Sequence, residues 1–480
     1  MKKYITTAIP YANAAPHIGT AMDYLYADIL ARYWSNDETE VLVSIGTDEH
    51  GTKVEQKAAE SEISPQEFVD KLQPEFEKMR QKMNLDFSNI RNTRTTDPDH
   101  ERRVQEIWKK LEANNCIYKS TYEGWYCSGC EAFLTETEAR DMDYKCPDHK
   151  RELERLSEEN YYLRTSKFTE EIREFIKSSI TPEFRAKELL EMIKDGVQDV
   201  SISRPKDKLK WGIAVPGDET QVMYVWVDAL SNYITALNYP DKDWDKEFWP
   251  ATVEIVGKDI LRFHAIIWPA VLLGLGLELP KQLLVHGFIN VDGQKMSKSL
   301  GNVVSPSEII DKYGADAFRY YFTRHIPIFD DGDFTWERFE AAYNGELAND
   351  LGNLVSRLAN MIQKYGIEST TEATWREGLS RISNEVSQFH ASMEKFEFNR
   401  AIEAIWAAIQ SCNKYIDETK PWELAKTDTD KLTKVLNELW GDIMIIQALL
   451  RPFLPETAEK IREVFNGDSV KKPEILFPKM

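Results

Sequence analysis

Tyr4-Ile5-Thr6-Thr7-Ala8-Ile9-Pro10-Tyr11-Ala12-Asn13-Ala14-Ala15-Pro16-His17-Ile18-Gly19-Thr20 reads as a strand, its break and the start of a helix. Tyr4 to Ala8 is an apolar and β-branched run, Pro10 and Pro16 interrupt it, and a helical pattern begins near His17. This order puts an imidazole and a glycine backbone at a helix N-terminus, where anions bind. A second segment lies far downstream. Lys295-Met296-Ser297-Lys298-Ser299, flanked by Gly293 and Gly301, places two lysines three apart in a loop able to close over a multiply charged anion. The lysines act as point charges, and the hydroxyls of Ser297 and Ser299 add neutral donors. A lysine pair alone is usually a solvated face, and a His-Gly turn alone is usually only a turn. In this order, together, they point to one anion site.

Working outward, strand and helix alternate. Glu40–Ile45 reads as a second buried strand, and 17–34, 65–83 and 98–114 read as helices. Such alternation predicts an α/β fold, a doubly wound parallel sheet with ligands at the carboxyl ends of its strands. From about 115 to 223 the texture changes to cysteines, aromatics and short strand-like runs such as Leu209–Val215, a small α+β insertion. Strand signals return at Val253–Val256 and Leu283–Val291, so the nucleotide-binding fold is split. The predicted units are 1–114 and 224–292 for its two halves, 115–223 for the insertion, 293–345 for the lysine loop and its continuation, and 346–480 for an all-α bundle. In that bundle, helices are expected over 346–365, 375–393, 399–419 and 428–450, with the chain helical throughout after Gly345.

The 480 residues suggest about three units. No apolar run reaches the ~20 residues that span a bilayer, and no basic-then-apolar leader opens the chain. A cytoplasmic, non-membrane protein is the expectation. The net charge of −20 weighs against non-specific nucleic-acid binding without excluding a basic face. Five cysteines without a secretion signal do not make a disulfide framework. Cys116 and Cys412 stand apart and read as buried small hydrophobes.

Cys127-Ser128-Gly129-Cys130 is followed, after fifteen residues, by Cys146-Pro147-Asp148-His149. Two two-residue spacers at this separation have the spacing of a tetrahedral structural zinc site. One Zn²⁺ held by Cys127, Cys130, Cys146 and His149 would leave no open position, and so would stabilise the insertion rather than do chemistry.

The His17 and Lys295 segments resemble the two signature motifs of the class I aminoacyl-tRNA synthetases, His-Ile-Gly-His and Lys-Met-Ser-Lys-Ser. The departure is Thr20, where that family usually has its second histidine. Thr can donate to a phosphate oxygen but carries no charge. The resemblance implies a split Rossmann-type fold, with His17, Thr20, Lys295 and Lys298 stabilising the transition state and Gly19 and Ser297 also meeting ATP, which enters with Mg²⁺.

Further segments resemble the methionyl-tRNA synthetase branch. Ala8 to Asn13 is similar to its first loop, with Tyr11 facing the amino acid. Gly46-Thr47-Asp48-Glu49-His50-Gly51 is similar to its second, where Asp48 would hold the substrate ammonium. Tyr224-Val225-Trp226-Val227-Asp228-Ala229 and Gly257-Lys258-Asp259-Ile260-Leu261-Arg262-Phe263-His264 resemble its pocket and ribose segments. The resemblance implies Trp226, Ala229, Tyr233, Ile260 and His264 for L-methionine, and Gly257 and Asp259 for the adenosine. Leu230 stands where family members often have Pro. An aromatic and sulfur-tolerant pocket suits a long polarizable side chain. In the tail, Asn349, Asn353 and Arg357 share one helix face, and Trp422 opens another helix. The resemblance makes these four the readers of the CAU anticodon of tRNA(Met), by stacking and amide or guanidinium contacts. The chain stops near the end of the family's core without the appended dimerising domain, so a monomer is expected. Three rivals remain: a class I enzyme for Leu, Ile, Val or Cys, a non-catalytic RNA-binding paralogue, and a small nucleotidyltransferase.

Overall fold

Lys2–Thr7, Glu40–Thr47 and Val253–Gly257 are buried at nearly every residue, the pattern of strands covered on both faces. The computed structural model describes residues 1–480 except 36–38, 87, 128–131, 135, 148–149, 297–300, 369–371 and 468. It describes only the backbone of 122–123, 132–133, 156–158, 225 and 372–380. The three strands sit in a six-stranded parallel sheet. Its order is Ile90–Arg94, Glu40–Thr47, Lys2–Thr7, Val253–Gly257, Leu283–His286, Ile180–Thr181. Strand order reverses between Lys2–Thr7 and Val253–Gly257. At such a switch point the connections leave to opposite sides and a crevice opens beyond the carboxyl ends. That crevice joins the first and second halves of the split fold.

The helices begin where local chemistry satisfies their first amides. Ile18–Trp34 is capped by His17, whose ring accepts from the Thr20 amide. Pro65–Lys82 starts with a reciprocal Ser64/Glu67 capping box and Pro65 in its first turn. Pro98–Ala113 likewise carries Pro at its start. These follow the predicted ranges to within a residue or two.

Four expectations are corrected. Leu283–Val291 is two strands. Leu283–His286 belongs to the main sheet, whereas Ile289–Val291 joins a separate three-stranded sheet with Gln294–Lys295 and Gly332–Phe334. Gly287 makes the break: a Cβ there would lie 2.1 Å from the Asp330 carbonyl oxygen. Only Ala214–Val215 of the Leu209–Val215 run is strand. Its upstream part is committed elsewhere, because the Trp211 indole donates to Glu49 O (2.6 Å) and Trp211 O accepts from Gly51 N (3.1 Å). Ile180–Thr181, inside the stretch assigned to the insertion, is the edge strand of the main sheet. Finally, the tail is not helical throughout, and further helices lie just ahead of it. Pro306–Tyr313, Ala315–Arg324 and Trp336–Ala342 precede it. A π-helix, Tyr343–Gly352, replaces the expected α-helical start and runs into the helix Asn353–Tyr365. Gly345 and Gly352, poor α-helix formers, fall within this widened stretch.

The bundle continues through Glu372–Glu394, Phe398–Thr419, Pro421–Thr427, Thr429–Leu450 and Pro455–Phe465. The described residues beyond 465 have no regular structure, and Tyr343 donates to Pro478 O at 3.0 Å. One apolar core runs from the Ile18–Trp34 helix through Phe318 and Tyr321 to Trp406 and Trp440 of the bundle. A second core, on the other sheet face, contains Trp108 and Trp268 and includes Leu163 and Ile176 from 115–223. Among the described residues, no helix is long and apolar enough to cross a membrane.

Candidate active site

The cleft at the switch point has a volume of about 340 Å³. Every described residue predicted to meet the nucleotide or the amino acid lines it. From the nucleotide set these are His17, Gly19, Thr20, Gly257, Asp259 and Lys295. From the amino-acid set they are Tyr11, Asp48, Trp226, Ala229, Tyr233, Ile260 and His264. Ser297 and Lys298 lie outside the described residues.

Each side chain is placed by local structure. His17 Nδ1 accepts from the Thr20 amide at 3.4 Å, so a neutral ring carries its proton on Nε2, the donor an anion needs. Gly19 cannot be larger, because a Cβ would sit 2.9 Å from the His17 ring. At Gly257, the last residue of its strand, a Cβ would lie 2.8 Å from Asp259 Oδ1. Lys295 is carried by a two-residue hairpin, in which Val291 pairs with Gln294 across Asp292 and Gly293. Both turn residues have positive φ (51° and 72°), as a type I′ turn requires. Lys295 Nζ stands 5.2 Å from the centre of the Phe288 ring.

On the amino-acid side, Asp48 follows the Glu40–Thr47 strand and is bonded through its backbone to the opening loop. Asp48 N donates to Pro10 O (2.9 Å) and Ala12 N donates to Asp48 O (2.8 Å). Tyr11 and Asp48 are thereby held side by side. Trp226 stacks face to face on Phe263, ring centres 3.6 Å apart and 10° from parallel. His264 sits in a short π-helix, Phe263–Ile267. Its Nδ1–H donates to Ile260 O (3.0 Å), which leaves Nε2 to accept from the Tyr233 hydroxyl (2.7 Å). Burial pushes the His264 imidazole down to about 4, so it is neutral at physiological pH. Trp226, Tyr233 and the neutral His264 give this side of the cleft an aromatic, uncharged lining, with Asp48 also lining it.

Sequence reasoning missed several residues of the cleft, among them Asp23, Phe288 and His286. Asp23 lies one helical turn past Thr20, and i, i+3 spacing could have found it. His286 ends a parallel strand, in front of a glycine, at the edge where ligands bind. Its Nε2 meets Asp23 Oδ1 at 3.2 Å. Burial pushes this imidazole down, but the charge and hydrogen bond of Asp23, together with the Gly287 carbonyl and the Asp259 charge, more than reverse it.

In the insertion, Cys127 and Cys146 are buried in one small cluster with Ala139 and Leu153. Cys130 and His149 lie outside the described residues. Among the described residues, no three His, Cys, Asp or Glu side chains form a metal-binding group. In the tail, Asn353 is exposed and Asn349 and Arg357 are half-buried. Arg357 pairs with Asp417 at 2.7 Å, and Trp422, 41% exposed, opens the Pro421–Thr427 helix just beyond.

A family model described as tRNA synthetases class I (M) matches residues 3–156 and 149–359. A second, the anticodon binding domain of methionyl tRNA ligase, matches residues 366–478. The chain belongs to the methionyl-tRNA synthetase family. The methionine–tRNA ligase of Clostridium tetani is 44% identical, over 97% of this chain and 74% of its own. That of Caldanaerobacter subterraneus subsp. tengcongensis is 41% identical, over 100% and 79%. Among solved structures, Mycobacterium tuberculosis methionyl-tRNA synthetase bound by methionyl-adenylate superposes with a TM-score of 0.91. It is 33% identical, and all of both chains is covered. The free form of that enzyme gives 0.84 at 30% identity, covering 100% of this chain and 98% of its own.

Proposed function

We infer that this chain is a methionine–tRNA ligase. It joins L-methionine to ATP, giving methionyl-adenylate and pyrophosphate, and then transfers the methionyl group to the 3′ end of tRNA(Met). The observation that carries this is the convergence, in one cleft at the switch point, of the phosphate-facing and amino-acid-facing segments in a chain of this family.

In the first step a methionine carboxylate oxygen attacks the α-phosphorus of ATP, which arrives with Mg²⁺, and the bond to pyrophosphate breaks. His17 and Thr20 donate to the phosphates, and Lys295 and Lys298 offset the charge that develops on the leaving group. Gly257 admits the adenosine and Asp259 accepts from its ribose hydroxyls. Asp48 holds the ammonium, while Tyr11, Trp226, Ala229, Tyr233, Ile260 and the neutral His264 enclose the thioether. A charged imidazole here would favour water over the apolar chain, so the low pKa of His264 suits the substrate. In the second step a ribose hydroxyl of the terminal adenosine attacks the carbonyl and AMP leaves. Most of the rate acceleration comes from positioning and fixed charge.

Asn349, Asn353, Arg357 and Trp422 are proposed as the anticodon readers, supported by the exposure of Asn353 and Trp422. The insertion is proposed to hold one structural Zn²⁺ through Cys127, Cys130, Cys146 and His149. Two buried cysteines in one cluster fit such a soft-donor site, which would brace the insertion. A cytoplasmic monomer completes the proposal.

Amino-acid-dependent ATP–pyrophosphate exchange with all twenty amino acids tests the activity. Methionine is expected to support rapid exchange alone, and exchange with leucine or cysteine but not methionine would overturn the assignment.

A further inference from the structure

Behind the pocket wall, away from the cleft, the Asp228 carboxylate is buried between two imidazoles. Asp228 is 1% exposed, His50 and His100 2% each. His50 Nδ1 meets Asp228 Oδ2 at 2.6 Å, and His100 Nε2 meets Asp228 Oδ1 at 2.8 Å. His100 Nδ1 lies 2.7 Å from the Thr235 hydroxyl, and His50 Nε2 lies 3.4 Å from Glu101 Oε1. Burial alone would raise the Asp228 carboxyl, but the two imidazoles hold it below its usual range.

The three residues come from three different elements. His50 is two residues beyond Asp48, at the end of the second strand. Asp228 lies in the Val225–Thr235 helix, between Trp226 and Ala229. His100 is in the first turn of Pro98–Ala113. Trp211 covers His50, ring centres 5.4 Å apart. Between Asp48 and His50, Glu49 is fully buried and paired with Arg94 at 2.9 Å. The loop that offers Asp48 and the helix that offers Trp226 and Ala229 are thus tied to a single carboxylate.

We propose that Asp228, clamped by His50 and His100, is a positioning residue for amino-acid binding, setting the distance between the ammonium site at Asp48 and the side-chain wall at Trp226 and Ala229. A buried ion pair is a costly way to hold a core together, and apolar residues of similar volume often serve as well or better. Its directional bonds do what apolar packing cannot, which is to fix one loop against one helix in a single register. The nucleotide side of the cleft, at His17, Gly257 and Asp259, hangs from other elements. Loosening the clamp therefore weakens methionine binding and spares ATP. This inference rests on Asp48 and Trp226 contacting the amino acid.

The test compares Asp48→Asn, Asp228→Asn and His100→Gln in the full chain, measuring KM for methionine and for ATP in pyrophosphate exchange, with Tm alongside. Asp48→Asn checks the underlying reading: if it leaves the methionine KM unchanged, the amino-acid site itself is misplaced and this inference falls with it. With Asp48→Asn raising that KM, Asp228→Asn is expected to raise it about 10- to 100-fold, the usual effect of removing a residue that orients a direct contact. The ATP KM is expected to stay within about twofold, against that tenfold or greater change. His100→Gln, whose amide can still donate to Asp228, is expected to fall between wild type and Asp228→Asn. Equal increases in both KM values, or a lowered Tm with both unchanged, overturn the proposal and leave the clamp purely structural. If Asp228→Asn does not fold, His100→Gln alone decides: a selective rise in methionine KM supports the proposal, and its absence overturns it.

Discussion

At the scale of single residues, the core of the sheet holds a group whose charge state is set mainly by burial. Glu254, in the strand that ends at Gly257, is fully buried and accepts from the Trp268 indole at 3.0 Å. Burial pushes its carboxyl up to about 8. The folded state therefore binds this proton more tightly than the unfolded chain, whose carboxyl titrates near the ordinary value of 4.5. Below that value both states are protonated and folding is unaffected. As the pH rises towards 8 the unfolded state loses the proton first, and stability falls. Glu254→Gln keeps the indole acceptor and removes the titration. The loss of Tm between pH 5 and pH 8 is expected to be smaller in this variant than in wild type. Thermal melts across that range check it, and an identical slope for the two proteins would contradict the assignment. Glu254 carried no signal in the sequence. Nothing in Val253-Glu254-Ile255-Val256 says that the glutamate will be enclosed on both sheet faces.

At the scale of elements, the strand–helix alternation and the proline- and serine-marked helix starts were legible because they rest on short-range chemistry. The Ser64/Glu67 box, and Pro65 and Pro98 at N-termini, need only neighbouring residues. Elements whose identity depends on a distant partner were not legible. Leu209–Ile213 looks like a strand but is spent covering His50. Leu283–Val291 looks like one strand but is divided by the close approach of Asp330 to Gly287. The insertion offers the test of a metal at this scale. Metal binding energy is folding energy for a small module with little core of its own. Cys146→Ser is expected to lower the thermal stability of the insertion and the zinc content from one ion per chain towards none. Elemental analysis of wild-type protein purified without chelator, showing no metal, would reject the site.

Across the whole molecule, the catalytic half and the bundle are joined through a buried charge as well as a shared apolar core. Arg319, fully buried, pairs with Asp28 of the Ile18–Trp34 helix at 2.6 Å. It also donates to the carbonyls of Pro452 (2.8 Å) and Phe453 (2.7 Å), between the last two helices of the bundle. The helix capped by His17 is thus bonded to the domain that carries Trp422. Pyrophosphate exchange needs only the cleft, whereas charging needs the whole length. Trp422→Ala is expected to leave exchange near wild type and to reduce tRNA charging about 5- to 150-fold, the worth of one stacked base at ~1–3 kcal/mol. The loss should shrink on tRNA whose CAU has already been changed. Normal charging of unaltered tRNA by this variant would remove Trp422 from the anticodon site.

The sequence by itself determined the parallel α/β class, the split of the nucleotide fold and the cleft residues that sit in contiguous motifs. Strand periodicity, helix caps and the Gly- and Lys-bearing loops are written in neighbouring residues, and their chemistry does not wait for a partner. Only the tertiary structure decided what lies behind those motifs. His50, His100 and Asp228 are far apart along the chain, and each alone reads as an ordinary polar residue. Asp23 and His286 meet only because the fold brings the Ile18–Trp34 helix beside the end of the distant Leu283–His286 strand. The edge strand Ile180–Thr181 exists only because Leu283 and Leu284 offer it an open ladder. Pairings of this kind are created when distant segments are brought together, and no local pattern encodes them.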